Sequence, residues 1–457
     1  MSKKQGVLEK IFHLKENRTT VRQEVIGGVT TFMTMAYILA VNPSILGDSG
    51  MNQNGVMIAT ALAAFIGTLC MALLANYPFA LAPGLGLNAY FSYTVVLGMG
   101  YSWQNALFCV FIEGIIFIVL SVTPVREAIF DSIPKSLKSG VSAGIGMFVA
   151  FIGFVNAGII VANGGTIVSI IDFNNAATQA TIMAVLALIG TLVLLIMHMN
   201  NITGAFLWAI FITWILGILC QISGLYVPDI ENGYYSLYPN FSGWFDFSGF
   251  GEVAFQLSPA GMAPLDIIVV TFSFLFTDIF DTVGTVTGAA QKANFLKNGK
   301  LPRIRQVFLA DAIATATGAA VGTSTTTTFV ESTAGIAAGA KTGLSSLVTS
   351  ILFLISIAFA PLFVSIPSFA TAPALIFVGF LMISQIKNIN FDEIAESFPA
   401  YIAAIVMPLA YSISDGIMCG FIAYTVTHIF PFKGKRKKMN IVVPILSILF
   451  IIKYILI

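Results

Sequence analysis

The chain has 457 residues, of which 57% are hydrophobic and only 9% carry a charge, against roughly 25% charged residues in a soluble domain. Lys and Arg number 22 and Asp and Glu number 21, so the net charge is +1, and there is no strongly basic field to hold nucleic acid. A water-soluble protein of this size could not bury so much apolar surface, and the composition therefore predicts a protein embedded in lipid.

Three long blocks, residues 49–112, 173–228 and 342–386, contain no Asp, Glu, Lys or Arg. A membrane helix needs about 20 apolar residues, so each block has room for two or more spans. The alternating pattern of a membrane β-barrel is absent from the sequence, and we therefore predict an all-α polytopic membrane protein with fourteen spans. The expected spans are 24–46, 55–75, 84–98, 104–122, 138–158, 180–198, 203–222, 264–290, 306–321, 329–340, 344–365, 371–386, 399–412 and 416–430.

The basic residues support this number of spans. If residues 1–23 are cytoplasmic, every Lys and Arg before the C-terminal tail falls in an inner segment, and the outer segments carry only acidic charges. This separation is what the positive-inside rule requires, and one span more or fewer would destroy it. We therefore expect a multi-pass protein of the cytoplasmic membrane, with an N-terminus that is cytoplasmic and is not a cleaved signal peptide.

The third and tenth spans are too short to cross the membrane as ordinary helices. They follow the unusual stretches 77–84 and 322–328, and the run of threonines in the second stretch favours extended backbone. Fourteen spans divide into a 7+7 repeat, which is inverted because seven is odd. We expect the third and tenth segments to be half-helices preceded by short extended strands, and paired interruptions of this kind indicate a transporter's binding site.

Acidic residues at membrane depth are costly and indicate function. Asp278 and Asp281 lie on one face of the eighth span because they are three residues apart. Glu331 lies near the start of the tenth span, and Asn88 has the matching position in the third. Glu113 is interpreted equally well as a packing residue or as a functional one. The acids near other helix ends are interpreted as caps: Asp48, Asp266, Asp311 and Asp415.

Other polar segments have simpler interpretations. The histidines His13, His198 and His428 flank spans on the inner side and are predicted to be ordinary surface residues. Residues 390–398 carry apolar side chains at helical spacing, which predicts an amphipathic helix on the inner membrane surface. The apolar tail, 441–457, is expected to be associated with the membrane.

The polar groups of the site limit the solute. Neither Lys nor Arg is near the carboxyl groups in the sequence, which argues against an anion, and carboxylates without histidine do not favour a transition metal. A flat neutral solute with N–H donors and ring-nitrogen acceptors fits better, because carboxylates accept hydrogen bonds and Asn88 both accepts and donates. Asp278 and Asp281 would titrate as a coupled pair, which offers a means of coupling transport to protons.

These motifs resemble those of the nucleobase–cation symporter superfamily, in its azaguanine-type branch of guanine, hypoxanthine and adenine permeases. The resemblance extends over residues 20–430. The segments that carry it are EVIGGVTTFMTMAY at 24–37 through Asn42 and Pro43, APGLGLN at 82–88, TDIFDT at 277–282 and STTTTFVES at 324–332.

The resemblance implies a proton-coupled symporter that imports purine nucleobases by an elevator-type mechanism. No cofactor and no metal is expected. The implied partners are a purine nucleobase, protons, membrane lipid and a second copy of the chain, but no nucleic acid. The implied substrate-binding residues are Asp278, Glu331, Asn88, Thr328 and Phe329, and the implied proton-coupling residues are Asp281, Asp278 and Glu331.

The resemblance also implies a core domain that holds the substrate and a gate domain that forms the dimer surface. The core would slide against the gate to expose the site to each side in turn. The expected boundaries are 1–23 for the cytoplasmic N-terminus, 24–122 and 264–365 for the core, 123–222 and 366–430 for the gate, 223–263 for an extracytoplasmic loop, and 431–457 for a basic run and apolar tail.

Two alternatives stay open, one within transport and one of another class. An anion carrier of the same fold, such as a sulfate permease, would need a neutral or positive site, and three carboxyl groups argue against it. An intramembrane aspartyl protease would usually take its two aspartates from different helices, whereas Asp278 and Asp281 share one.

Overall fold

The computed structural model describes residues 7–121, 134–240, 247–293, 295–296, 301–430 and 439–456. These residues are mostly α-helical, with two short two-stranded sheets. Eight of the described helical segments are long and apolar enough to cross a membrane, so the chain is a multi-pass membrane protein. They are Val21–Gly47, Gln53–Ala75, Trp103–Ser121, Lys135–Asn156, Thr178–Met199, Ala205–Ile222, Gly343–Val364 and Ser368–Asn388.

The first half of the chain contains two interrupted segments. The first predicted span is broken after Met35, and the third begins as an extended strand and ends as a π-helix over Tyr90–Gly98. The elements are α1 (Val7–Phe12), α2 (Val21–Met35), α3 (Ile38–Gly47), α4 (Gln53–Cys70, continued as a π-turn over Met71–Ala75), β1 (Leu81–Pro83), α5 (Leu85–Ala89), α6 (Trp103–Ser121), α7 (Lys135–Asn156), β2 (Ile160–Asn163), β3 (Ile167–Ile170), α8 (Thr178–Met199) and α9 (Ala205–Ile222).

The second half repeats the interruption at the matching place. A strand inside the threonine run is followed by a helix of only six residues. The elements are α10 (Ser248–Val253), α11 (Pro264–Lys292), α12 (Ile304–Val321), β4 (Thr326–Thr328), α13 (Ser332–Ala337), α14 (Gly343–Ser356), α15 (Ala360–Val364), α16 (Ser368–Ile383), α17 (Ile394–Leu409), α18 (Ile413–Ile429) and α19 (Val442–Leu456), with 3-10 turns at Ile230–Asn232, Ile357–Phe359 and Ser384–Asn388.

The strands β1 and β4 pair antiparallel in the interior of the protein. Ala82 lies opposite Thr327, and all six strand residues are buried. The pairing is extended at both ends, because Gly84 N donates to Thr325 O at 3.0 Å and Phe329 N donates to Ala80 O at 3.0 Å. Extended backbone at membrane depth needs internal hydrogen-bond partners, and each strand provides them for the other.

The helices pack in two groups. In one group, α4 packs against α12 and α14, α12 packs against α6, and α2 packs against α13 and α14. In the other group, α7 packs against α16 and α17, α8 packs against α9 and α16, and α17 packs against α18. Glycines allow the second group to pack closely: a Cβ on Gly379 would lie only 2.4 Å from the carbonyl oxygen of Gly146.

The amphipathic helix predicted at 390–398 is wrong as a separate element. The backbone becomes helical only at Ile394, and this first turn continues into α17. The tail forms α19, which packs against α18 through a hydrogen bond of 2.7 Å between the hydroxyls of Thr425 and Ser447.

The prediction for one of the three histidines is also wrong. His13 and His198 are exposed, as predicted. His428, however, is only 6% exposed, because its ring stacks on Tyr424 with centroids 3.9 Å apart. Its Nε2 also lies 3.4 Å from Oε1 of Glu396, a carboxylate that accepts from the Tyr424 hydroxyl at 3.0 Å.

Candidate substrate site around a pair of strands

The hydroxyl groups around β4 reach out to acidic side chains on two helices. Thr327 Oγ1 donates to Oδ2 of Asp281 in α11 at 3.2 Å, and Thr325 Oγ1 donates to Oε2 of Glu113 in α6 at 2.7 Å. Residues two apart on an extended chain project from the same face, so the threonine run presents a row of donors. Glu113, which the sequence left open, is fully buried and holds the start of this strand.

Glu331 lies three residues after the end of β4, at the N-cap position of α13. Its Oε1 accepts a hydrogen bond of 2.8 Å from the hydroxyl of Tyr37, a residue that is 1% exposed in the break between α2 and α3. The sequence analysis missed Tyr37, although a tyrosine hydroxyl inside an apolar span needs a partner and is a signal in itself.

Asp278 is fully buried and shares a donor with a residue that was predicted to be a cap. Thr282 Oγ1 lies 3.0 Å from Oδ1 of Asp278 and 3.2 and 3.0 Å from the two carboxyl oxygens of Asp311. Asp311 lies two turns inside α12, which begins at Ile304, so its interpretation as a cap is wrong. Asp311 is therefore a site residue that the sequence analysis did not identify.

A hydroxyl group has one hydrogen and cannot donate to two carboxylates at once. The contacts of Thr282 with Asp278 and Asp311 are satisfied together when one carboxyl carries a proton and donates it to the hydroxyl oxygen, while the hydroxyl donates to the other carboxylate. The trio can therefore hold a shared proton.

Asn88 and Thr328 each have a buried polar group without a hydrogen-bond partner among the described residues. Asn88 is fully buried; its Oδ1 accepts from Ser324 Oγ, but its Nδ2 has no hydrogen-bond partner there. Thr328 Oγ1 is also buried and has no hydrogen-bond partner among the described residues. The adjacent Phe329 is 7% exposed. An unsatisfied buried polar group costs about 1–3 kcal/mol, and a polar solute could satisfy both.

The structure brings most of the predicted residues together around the strand pair. Asp281, Glu331 and Asn88 are all connected to β4 or the residues that flank it, whereas Asp278 connects to Asp311 and thus to α12. Among the described residues, no Lys or Arg forms an ion pair with Asp281 or Glu331. No group of His, Cys, Asp or Glu in the same part of the chain could hold a metal ion.

The architecture is similar to that of solved membrane transporters. The transmembrane domain of a cyanobacterial bicarbonate transporter, BicA, matches with a TM-score of 0.63 at 16% identity, over 87% of this chain and 97% of that one. The structure of SLC26A9 matches with a TM-score of 0.62 at 10% identity, over 92% of this chain and 68% of that one. At such low identity the likeness concerns the fold, and it agrees with the predicted class.

Sequence comparison is more specific. The model of a permease family, Xan_ur_permease, matches residues 22–419. The guanine/hypoxanthine permease PbuO of Bacillus subtilis is 40% identical over 97% of this chain and 99% of its own length. The adenine permease AdeP of Escherichia coli is 39% identical over 99% of this chain and 97% of its own length. A putative permease of Methanocaldococcus jannaschii, MJ0326, is 42% identical over 98% of both chains.

These relatives are named permeases, which confirms the prediction of a transporter and not an enzyme. The names of the two bacterial relatives also agree with the resemblance to purine permeases drawn from the motifs. The chain therefore belongs to the permease family that matches residues 22–419.

Proposed function

We propose that this protein imports purine nucleobases together with protons across the cytoplasmic membrane, with its N-terminus in the cytoplasm. The observation that carries the proposal is the set of unpaired and acidic polar groups around the β1–β4 pair. The most important are Nδ2 of Asn88 and the carboxyl groups of Asp281 and Glu331. A purine offers N–H donors and ring-nitrogen acceptors in one plane, which these groups complement.

The proposed roles follow the position of each side chain. Glu331 and Asp278 accept from N–H groups of the base, and the free amide hydrogens of Asn88 donate to a ring nitrogen or carbonyl oxygen. Thr328 contributes its unsatisfied hydroxyl, and Phe329 provides an apolar surface beside it. Relatives that are named guanine/hypoxanthine and adenine permeases support this class of solute.

Proton coupling is proposed to use the carboxyl groups of the core. Asp278 and Asp311 can share a proton through Thr282, and Asp281 is held by Thr327. A carrier whose loaded form moves only when these carboxyl groups are neutral would import one or more protons with each base, since moving a buried charge is costly.

The movement is proposed to be of the elevator type. Fourteen spans, with half-helices at positions three and ten, would form a core of 24–122 and 264–365 and a gate of 123–222 and 366–430. The two groups of packed helices follow this division and support it. The gate is also proposed to form the surface of a homodimer, and the exposed apolar face of α8 that includes Leu188, Leu192 and Ile196 is the candidate contact.

Uptake by the purified protein in lipid vesicles tests the proposal. With a more acidic solution outside, we expect labelled hypoxanthine, guanine or adenine to accumulate unchanged, and a protonophore to abolish the accumulation. Transport of sulfate or bicarbonate with no uptake of any of the three bases would overturn the proposal in favour of an anion carrier of the same fold.

A further inference from the structure

We infer that Tyr37 is a positioning residue that links the base-binding carboxylate to the gate domain. Its hydroxyl holds Glu331, and its ring stacks on Phe206. The inference rests on the proposed function and goes beyond it, because it assigns the contact through which recognition of the base and movement of the core affect each other.

The close approach of α2 to α13 places Tyr37 beside Glu331. A Cβ on Gly335 would lie 2.0 Å from Oγ1 of Thr31 and 2.5 Å from the carbonyl oxygen of Gly27. Because Gly335 and Gly27 have no side chains, the two helices can touch. Because Glu331 immediately precedes α13 and Tyr37 follows α2, the contact between the helices fixes both residues relative to each other.

The hydroxyl group of Tyr37 contacts the carboxylate of Glu331. Tyr37 donates to Oε1 of Glu331 at 2.8 Å, and the tyrosine is almost fully buried. A carboxylate is planar, so fixing one oxygen also fixes the direction in which the other oxygen, Oε2, presents its lone pairs. The hydroxyl therefore orients Glu331 for a solute before the solute arrives, which reduces the cost of binding.

The ring of Tyr37 contacts a residue of the proposed gate. Phe206 is the second residue of α9, and its ring is stacked on that of Tyr37 with centroids 5.1 Å apart and an interplanar angle of 22°. The Phe206 ring also makes an edge contact with Phe377 of α16, with centroids 5.7 Å apart. Gly204, with φ of +74° and its Cβ position 3.3 Å from Cβ of Met33, brings the start of α9 against α2. The stack thus joins the proposed core to the proposed gate.

The two contacts of Tyr37 should have separable effects on transport. The hydrogen bond to Glu331 lies within the core and travels with it, so its loss should weaken binding of the base. The stack on Phe206 exists only while the core is in its present position against the gate, so its loss should change the rate at which the core leaves that position. A residue that only fills space would affect neither quantity selectively.

The test compares Tyr37→Phe with Phe206→Leu in vesicles, with KM and maximal rate measured for hypoxanthine. Tyr37→Phe keeps the ring and should raise KM about tenfold, the effect of losing a hydrogen bond to a charged group, with the maximal rate nearly unchanged. Phe206→Leu keeps the hydrogen bond and should change the maximal rate about threefold or more, with KM nearly unchanged.

Tyr77 and Phe79 provide matched controls in the same domain. The Tyr77 hydroxyl donates to Pro302 O at 2.8 Å, and its ring stacks on that of Phe79 at 5.4 Å and 24°. Tyr77→Phe and Phe79→Leu remove the same kinds of contact away from Glu331 and should change neither KM nor maximal rate by more than about twofold. A normal KM for Tyr37→Phe, or equal effects of both test variants on both constants, would overturn the inference.

A measurement without substrate separates this inference from the proposed function. In a double-mutant cycle on thermal unfolding in detergent, Tyr37→Phe and Glu331→Gln should be non-additive, because the two side chains are in direct contact. Additive effects would overturn the link to Glu331 even if the protein transports bases. Non-additive effects in a protein that takes up none of the bases would support the contact and reject the proposed function.

Discussion

The acidic residues of the site differ in how their donors are arranged. Asp278 and Asp311 share one donor, the Thr282 hydroxyl, whereas Asp281 accepts from Thr327. A shared donor ties the protonation of two groups together, whereas Asp281 has a donor of its own. Removing the charge of each kind of acid should therefore have different consequences.

Replacement of Asp281 by Asn should abolish the response to the proton gradient. The amide oxygen of Asn can still accept from Thr327, so the local structure should persist while the titratable group is lost. One proton crossing a difference of one pH unit supports at most about tenfold accumulation of a neutral solute, and the variant should reach none. Glu231→Gln, in the exposed 3-10 turn at Ile230–Asn232, is the control. Unchanged pH-driven accumulation would remove Asp281 from the mechanism.

Replacement of Asp311 by Asn should separate exchange from accumulation. An amide supplies a permanent donor to the Thr282 oxygen, so the trio would stay in the arrangement that a shared proton now gives it. We expect labelled hypoxanthine to exchange with unlabelled base inside the vesicles, but not to accumulate at a difference of one pH unit. Asp266→Asn, at the start of α11, should retain both activities. Loss of exchange as well as accumulation would contradict the shared-proton arrangement.

The sequence identified the residues whose charge is conspicuous and missed those whose role depends on geometry. Asp278, Asp281 and Glu331 were found because a carboxyl group at membrane depth is costly. Asp311 was missed because its distance from the helix end decides between a cap and an interior residue, and the helix begins at Ile304, earlier than predicted. Tyr37 was missed because neither Gly nor Pro marks the break that precedes α3.

At the scale of elements, the extended strands were predictable but their pairing was less so. The threonine run favours extended backbone locally, and strand β4 lies within it. The partner strand, β1, is more than 240 residues away and contains Pro83 opposite Thr326. Only the predicted inverted repeat indicates that the two strands meet, because no local propensity encodes a contact over that distance.

The contact between α2 and α13 gives a prediction for this scale. Gly335→Ala would place a methyl group 2.0 Å from Thr31 Oγ1, so the helices must separate. We expect a loss of stability of about 1–3 kcal/mol, measured as a lower midpoint of thermal unfolding in detergent. Gly251→Ala is the control, since its Cβ position in α10 has no atom within 4 Å. An equal midpoint for both variants would show that the close approach is not needed.

At the scale of the whole molecule, the charges and the packing carry different information. The distribution of Lys and Arg predicts how many times the chain crosses the membrane, because it depends only on which side each loop lies. It does not predict which helices pack together. The group formed by α7, α16 and α17 depends on close approaches such as that of Gly146 to Gly379, which join segments more than 230 residues apart.

A disulfide between the two helix groups should stop transport if the core moves against the gate. The hydroxyl oxygens of Ser273 in α11 and Ser414 in α18 are 3.0 Å apart, so cysteines at both positions should form a bond when oxidised. In a background whose four native cysteines are serine, oxidation should abolish hypoxanthine uptake and reduction should restore it. Cysteines at Thr425 and Ser447, whose hydroxyls are 2.7 Å apart, join α18 to α19 and should be tolerated. The control disulfide joins α18 to α19 and does not link α18 to α11. Full uptake by the oxidised Ser273–Ser414 pair would therefore mean that the two groups move as one body, and the elevator mechanism would be wrong.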